Sequence, residues 1–326
     1  MYLVTGGAGF IGSNIVAALA ARGERVAVCD WLGQDEKWRN LARHEIAEII
    51  RPDDLGPWLQ GRRGLKALVH MGAISSTTER DADLIAATNV ALPQRLFAWC
   101  AEQRVPFLYA SSAATYGDGS AGFDDDGSPR ALARLKPLNA YGWSKHLFDR
   151  WVARQMAGSQ VAPPQWAGLK FFNVYGPNEY HKGAMRSVAL QLFQQMSAGE
   201  PATLFRSHRP DYPDGGQQRD FVHVEDCTAL VLWLLENPQV SGLFNCGTGR
   251  AESFLAVARA VSAALGRPEN VRFIDTPEPI RAKYQYFTEA KLDRLRAAGY
   301  ERPFAPVAEG VAAYVTDHLL REDPYL

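Results

Sequence analysis

Tyr141 and Lys145 stand four residues apart at the head of an apolar helical stretch, so both fall on one helix face. A free tyrosine titrates near pH ~10 and is a poor base at neutrality, but a neighbouring ammonium favours the phenolate. Upstream, Ser111-Ser112 closes a short apolar run, which would bring a hydroxyl to the end of a strand. A serine, a phenol and an ammonium in one place can hold an alcohol and take its proton while a hydride departs. Y-x-x-x-K also arises by chance in helices, and a serine at a strand end is also an ordinary cap.

A hydride needs an acceptor, and the N-terminus carries a turn suited to one. Val4-Thr5-Gly6-Gly7-Ala8-Gly9-Phe10-Ile11-Gly12 runs from an apolar strand into a helical pattern. Gly6, Gly9 and Gly12 fit G-x-x-G-x-x-G, whose missing side chains allow a tight turn and close approach of backbone to a pyrophosphate. The helix that follows offers free N–H groups and a positive dipole end to the phosphates. Asp30, 18 residues after Gly12, ends the second strand and suits the ribose hydroxyls of NAD. It would repel the extra phosphate of NADP, a repulsion that Lys37 and Arg39 could offset, so the residues alone leave NAD and NADP both open.

These groups need a scaffold. Apolar runs at Tyr2–Thr5, Arg25–Cys29, Ala67–His70, Phe107–Ser111 and Leu169–Phe172 alternate with helical patterns at Ile11–Arg22, Ala86–Arg104 and Tyr141–Ala157. That alternation predicts an α/β fold: a doubly wound parallel sheet of the Rossmann type, covered on both faces. Beyond residue 173 the texture changes to helical patterns at Met185–Ala198, Val224–Asn237, Phe254–Leu265 and Phe304–Leu319 among polar stretches. The expected division is residues 1–172 with about 221–246 as the dinucleotide-binding domain, and 173–220 with 247–326 as a smaller, interrupted α/β substrate domain. Arg206–Gln218 reads as one long loop.

Composition narrows the partners. A net charge of -1 gives no electrostatic case for nucleic acid or an anionic membrane, and no apolar run reaches the length of a membrane span. Met1–Val4 leads directly into the glycine turn, with no basic region or cleavage site before it, so a cytoplasmic chain is expected. The four cysteines (29, 100, 227 and 246) are scattered, which reads as buried small hydrophobes, and the seven histidines lack metal-ligand spacing; no metal is expected.

The glycine turn, Ser112 and Y-x-x-x-K together resemble the extended short-chain dehydrogenases/reductases. In the sugar-nucleotide dehydratases of that superfamily an Asp-Glu pair stands beside the serine or threonine, and here the neighbours are Ala113-Ala114, which cannot transfer protons. Oxidation followed by re-reduction from the other face, or simple dehydrogenation, remains. The segments Val4–Val16, Ser75–Glu79, Pro106–Gly117, Pro137–Lys145, Phe171–Met185, Arg219–Asp226, Phe244–Phe254 and Arg296–Phe304 resemble those of the ADP-L-glycero-D-manno-heptose 6-epimerases, within the extended short-chain dehydrogenases/reductases. The glycine turn and Y-x-x-x-K are general to that superfamily. His181-Lys182-Gly183, GTGRAESF from Gly247 and the RAAGY segment are particular to the epimerases.

The resemblance implies an enzyme that oxidises C6″ of an ADP-heptose to a transient ketone and returns the hydride, supplying a precursor of the lipopolysaccharide inner core. It implies Tyr141 and Lys182 as the two proton-transfer groups, supported by Ser112 and Lys145. It implies tightly held NADP, with Lys37 on the 2′-phosphate, and a homo-oligomer, usually a pentamer. Cofactor contacts are expected from Gly6, Gly9, Phe10, Ile11, Gly12, Asp30, Trp31, Lys37, Met71, Gly72, Ala73, Ile74, Ser75, Asn89, Tyr141, Lys145, Val174 and Lys182. Substrate contacts are expected from Asn173, Ala184, Gln191, Phe205, Arg206, Ser207, Arg219 and Tyr284. Arg219, with Arg206 and Arg209, would clamp a diphosphate, with solvent-facing charge the competing reading.

Trp31, Met71, Ala184 and Gln191 depart from the family pattern, and the Arg206–Gln218 loop is longer than expected. The competing functions are a UDP-hexose 4-epimerase or reductase of the same fold, and a non-catalytic NAD(P)-sensing protein. The latter has no use for Ser112, Tyr141 and Lys145 together.

Overall fold

The computed structural model describes residues 1–158, 161–281 and 284–326. Seven parallel strands form the main sheet: β1 (Tyr2–Thr5), β2 (Val26–Cys29), β3 (Glu48–Ile50), β4 (Ala67–His70), β5 (Phe107–Ser112), β6 (Trp166–Phe171) and β10 (Gly242–Cys246). Their order is β10-β6-β5-β4-β1-β2-β3. β1, β2 and β4 are almost wholly buried because helices cover both faces of the sheet, which is why these strands are continuously apolar rather than alternating.

On one face α1 (Phe10–Ala21) and the helix Val224–Glu236 pack over Val4, Val28, Val69 and Leu169. On the other, the helices Leu92–Gln103 and Ala140–Ala157 cover Leu3, Leu68, Phe107 and Tyr109. The chain reverses its order between β1 and β4, and ligands of open α/β sheets bind at the carboxyl ends of the strands beside such a point.

The second lobe has its own core of Tyr175, Leu190, Leu192, Leu204, Phe221, Val257 and Val311. It holds β7 (Asn173–Tyr175), β9 (Gln218–His223) and β11 (Ala251–Ser253) in one sheet, β9 in the centre, with β8 (Ala202–Phe205) and β12 (Val271–Ile274) in another.

Three differences from the sequence reading have physical causes. β3 went unread because it is a three-residue edge strand whose Glu48 takes a hydrogen bond from Trp58. Phe221–His223, expected in the main sheet, pairs with β7 in the second lobe; only the helix after it and β10 return to the first. The stretch Ala86–Arg104 divides at Ala87–Ala91, a wide π-type turn that carries Asn89, before the helix proper begins at Leu92. All four cysteines are free and buried. Among the described residues no helix is long and apolar enough to cross a membrane.

Candidate active site

The glycine turn is closed to side chains. A Cβ on Gly6, whose φ is +65°, would lie 2.5 Å from the Gly72 nitrogen, and one on Gly12 would lie 2.1 Å from the Gly6 carbonyl oxygen. α1 begins at Gly9 with no side-chain cap, so its first N–H groups face the space in front of the turn. A cradle that a Cβ would fill, at an uncapped helix start, fits a dinucleotide pyrophosphate. Phe10 is buried and Ile11 half-buried at the head of α1.

At the adenosine end of this cradle Asp30 uses both oxygens. One accepts the Ala8 N–H at 2.9 Å, and the other accepts the Lys37 ammonium at 2.7 Å. Lys37 also donates to the Trp31 carbonyl at 2.7 Å, while Trp31 itself is exposed with the Arg51 guanidinium over its ring. Lys37 is therefore fixed beside Asp30 rather than loose in solvent. Arg39, its sequence companion, turns away to Glu36 and Asp323.

Met71 to Ser75 leave the end of β4, beginning with the Met71 N–H donating to the Thr5 carbonyl at 3.0 Å. Asn89 does not face open space. Its amide clasps the Ile74 backbone from both sides at 2.9 Å and reaches the Ser144 hydroxyl at 3.0 Å. It thus ties the Ala73-Ile74 segment to the helix of Tyr141 and acts through that backbone.

Asn139 caps that helix, its side chain accepting the Gly142 N–H at 2.8 Å, and this fixes Tyr141 and Lys145 in the first turns. Burial pushes the Tyr141 phenol above its ordinary pKa; the Ser112 hydroxyl works against this and the Asp149 carboxylate adds to it. Burial draws the Lys145 ammonium down to about 8, Asp149 opposing, and the lysine donates to the Ala110 carbonyl at 2.9 Å. Among the chain's own groups burial is the largest influence on the phenol; the sequence reading drew its depression from Lys145 together with a cationic nicotinamide. Ser112 ends β5 and accepts the Ala114 N–H at 3.1 Å, so it caps the next turn as well as meeting the phenol.

Beneath them lies a charge pair that the sequence reading missed. Asp149, fully enclosed, accepts the Ser111 hydroxyl at 2.6 Å and the Tyr109 phenol at 3.1 Å. The Lys170 ammonium stands 3.8 Å away and donates to Thr115 at 2.9 Å. Four residues beyond Lys145, Asp149 continues the same helix face, which was the available signal.

Lys182 sits in the turn Tyr180–Met185 with its ammonium 4.9 Å from the centre of the Phe10 ring. Burial lowers its pKa, with Glu179 opposing. Glu179 is buried and holds the far side of the turn through Ser187, whose hydroxyl donates to it at 2.6 Å. Ala184 is exposed in that turn, and Gln191 donates to the Arg186 carbonyl at 2.8 Å. Asn173 and Val174 open β7, Asn173 exposed and Val174 half-buried.

The three arginines separate cleanly. Arg206 is exposed and pairs with Asp275 and Asp214, and Arg209 pairs with Asp211. Arg219 is buried on β9, donates only to the Gln218 and Gln285 carbonyls, and has no carboxylate partner among the described residues. Its guanidinium lies 5.5 Å from the Tyr284 ring centre and 5.7 Å from that of Phe254, and burial lowers its pKa to about 10. Phe205 meets Tyr284 edge-on at 6.1 Å, and Ser207 donates to the Arg209 carbonyl at 2.8 Å, inside the long loop.

The GTG of Gly247–Gly249 also gains a reason. Asp220, next to Arg219, accepts N–H groups from Thr248, Gly249 and Ala290 and the Thr248 hydroxyl, at 2.7 to 2.9 Å.

A dinucleotide cradle with a serine, a tyrosine and a lysine at the adjoining strand end defines a class, and comparison with known proteins agrees: residues 2–247 match the NAD dependent epimerase/dehydratase family. The chain belongs to that family, and it is an epimerase, an enzyme of the isomerase class. It is 47% identical to the ADP-L-glycero-D-manno-heptose-6-epimerase of Nitratidesulfovibrio vulgaris (strain DP4) over the whole of both chains. The crystal structure of the Helicobacter pylori ADP-L-glycero-D-manno-heptose-6-epimerase superposes with a TM-score of 0.80 at 27% identity, covering 97% of this chain and 95% of that one. The Thermus thermophilus UDP-glucose 4-epimerase in complex with NAD gives 0.74 at 25% identity, covering 96% and 97%.

Proposed function

We propose that this chain interconverts ADP-D-glycero-β-D-manno-heptose and its L-glycero epimer by inverting C6″ through a transient ketone, with NADP as cofactor. The observation that carries the reading is the pair of proton-transfer groups. Tyr141 rises beside Ser112 at the end of β5, and a second, desolvated amine, Lys182, lies in the turn packed on the cofactor cradle. An epimerase that works through a ketone must exchange the hydroxyl proton in either presentation of the sugar, and two separately held groups supply one proton donor–acceptor for each face of the carbon.

Bound at the glycine turn, the nicotinamide dinucleotide supplies the hydride acceptor and donor. The chain's own residues do the rest. Ser112 holds the C6″ oxygen and orients its proton toward Tyr141. Lys145, anchored at the Ala110 carbonyl, is the cation against which the phenol exchanges its proton. Lys182, with its pKa lowered by burial, gives or takes the proton when the other face of the sugar is presented. Arg219, a buried guanidinium that no carboxylate engages among the described residues, receives the diphosphate, with Tyr284 flanking it. Arg206 and Arg209 already have carboxylate partners and contribute less. Asn173 meets the sugar at the start of β7.

The preference for NADP is argued from Lys37, whose ammonium meets one Asp30 oxygen and would offset that carboxylate's repulsion of a 2′-phosphate. A cytoplasmic, homo-oligomeric protein, pentameric as is usual for this family, completes the reading. The deciding experiment is proton NMR of products after incubation with ADP-D-glycero-β-D-manno-heptose and, separately, with UDP-hexoses. Inversion of the heptose alone supports the proposal. Turnover of the UDP-hexose alone refutes it and favours the 4-epimerase.

A further inference from the structure

Residues Asp323–Leu326 lie against the two turns that carry Lys37 and Lys182. Tyr325 is buried, edge-on to the Tyr180 ring at 5.0 Å and covered by the Arg39 guanidinium at 4.4 Å. Asp323 accepts Arg43 at 2.7 Å and Arg39 at 3.3 Å, and Arg43 also donates to the Tyr325 carbonyl at 2.9 Å. On the other side the Tyr180 phenol donates to the Pro324 carbonyl at 2.8 Å, and the Leu326 N–H donates to Asn178 Oδ1 at 3.1 Å. One flank of the segment therefore grips the turn Glu36–Leu41 and the residues after it, and the other grips the approach to Tyr180–Met185.

Those two turns also meet each other at the cradle. The Asn40 amide donates to the Ala8 carbonyl at 2.9 Å and to the Asn178 carbonyl at 3.1 Å. Asn178, fully buried with φ of +73°, donates to Ser13 in α1 at 3.0 Å. Both turns are short 3-10 segments with little stability of their own, so their placement depends on what is packed around them.

We propose that Asp323–Leu326 is a positioning element of the active site, clamping the Lys37 turn against the Lys182 turn and so setting both lysines relative to the glycine cradle. The proposal rests on the reading of Lys37 as the 2′-phosphate contact and Lys182 as a proton-transfer group. The ion pairs of Asp323 are solvent-exposed and individually weak. The anchor is the Tyr325 ring, buried between Arg39 and Tyr180, together with the directional bonds of Pro324 and Leu326.

The test uses the full chain. Dissociation constants for NADP and for NAD, kcat and KM for the heptose substrate, and the thermal midpoint are measured for Tyr325→Ala and Tyr325→Phe, with Lys37→Met as the control. Tyr325→Ala is expected to weaken NADP about tenfold and NAD less, and to lower kcat with little change in KM. Tyr325→Phe, which keeps the ring beneath Arg39, is expected to recover the parental values. Should Tyr325→Ala fail to fold, Tyr325→Leu, which keeps an apolar side chain but removes the ring held by Arg39 and Tyr180, is expected to reproduce the selective loss of NADP.

If Lys37→Met removes the NADP preference while Tyr325→Ala, or Tyr325→Leu, leaves both affinities and kcat at parental values, the clamp is refuted and the reading of Lys37 stands. A Lys37→Met chain with its NADP preference intact refutes that reading and this form of the clamp together. A lower thermal midpoint with unchanged cofactor affinity and kcat reduces the segment to simple packing and also overturns the proposal.

Discussion

Burial moves the two residues proposed for proton transfer in opposite directions: the Tyr141 phenol holds its proton to higher pH and the Lys182 ammonium gives its proton up at lower pH. Each change prepares a neutral group for exchange with an alcohol or a ketone. Tyr141→Phe is expected to cost roughly 10²–10⁴-fold in kcat with cofactor binding retained, and Lys182→Met a loss in the same range. Steady-state rates beside equilibrium NADP titrations check both, and a Tyr141→Phe chain with parental turnover ends its assignment. Asp149 yields a different signature because it raises the pKa of both Tyr141 and Lys145. Removing its charge in Asp149→Asn lowers both, so the limb of the kcat–pH profile that Tyr141 sets should move toward acid. A profile that falls uniformly without moving would make Asp149 a packing residue only. At this scale residue type, local spacing and family likeness offered Ser112, Tyr141, Lys145 and Lys182 as candidates, and the phenol does meet the Ser112 hydroxyl. Asp149 could have joined them, as the next acid on the Lys145 face. Lys170 could not, because its partners Asp149 and Thr115 come from other elements.

Among the elements, those with a clean local period were read nearly to the residue: α1, the helix Ala140–Ala157 and β5. Those defined by distant partners were not. Only Phe221-Val222 of β9 has the apolar character of a main-sheet strand, yet β7 claims it, and Phe221 enters the core of the second lobe. Its neighbour Asp220 shows the consequence. One buried carboxylate gathers the Gly247–Gly249 turn after β10 and the chain at Ala290, linking an edge of the main sheet to the centre of the small one. The sequence showed the GTG as a family mark without showing what it binds. Asp220→Ala leaves three backbone N–H groups without their acceptor, each costing about 1–3 kcal/mol if it stays unpaired. The expected result is a clear drop in thermal midpoint and a raised KM for the nucleotide sugar, since Arg219 is the adjoining residue on the strand. Thermal melts with and without substrate check this; an unchanged midpoint would show that water replaces the carboxylate at little cost.

For the whole molecule, the path of the chain matters more than the two cores taken separately. β10 forms the last strand of the main sheet, and the helix Val224–Glu236 covers the same face as α1. The chain reaches both only after passing through β7, β8 and β9 in the second lobe. Without them β6, an apolar strand buried along nearly all its length, would present an open edge, and the α1 side of the sheet would lose part of its cover. Leu295, Tyr300 and Phe304 come back to the first core after β11 and β12, and Asp323–Leu326 then returns from the second lobe to the turns beside the cradle, a third crossing. With three such crossings, loosening either core exposes surface that the other completes, so the two are expected to lose their structure together. The chain should therefore unfold in a single calorimetric transition whose van't Hoff and calorimetric enthalpies agree. Saturating NADP should raise the midpoint without splitting the peak, because a ligand bound to the native state stabilises the whole cooperative unit. Two resolved transitions, with only the lower one insensitive to NADP, would show that the lobes fold independently and that these crossings tether without coupling.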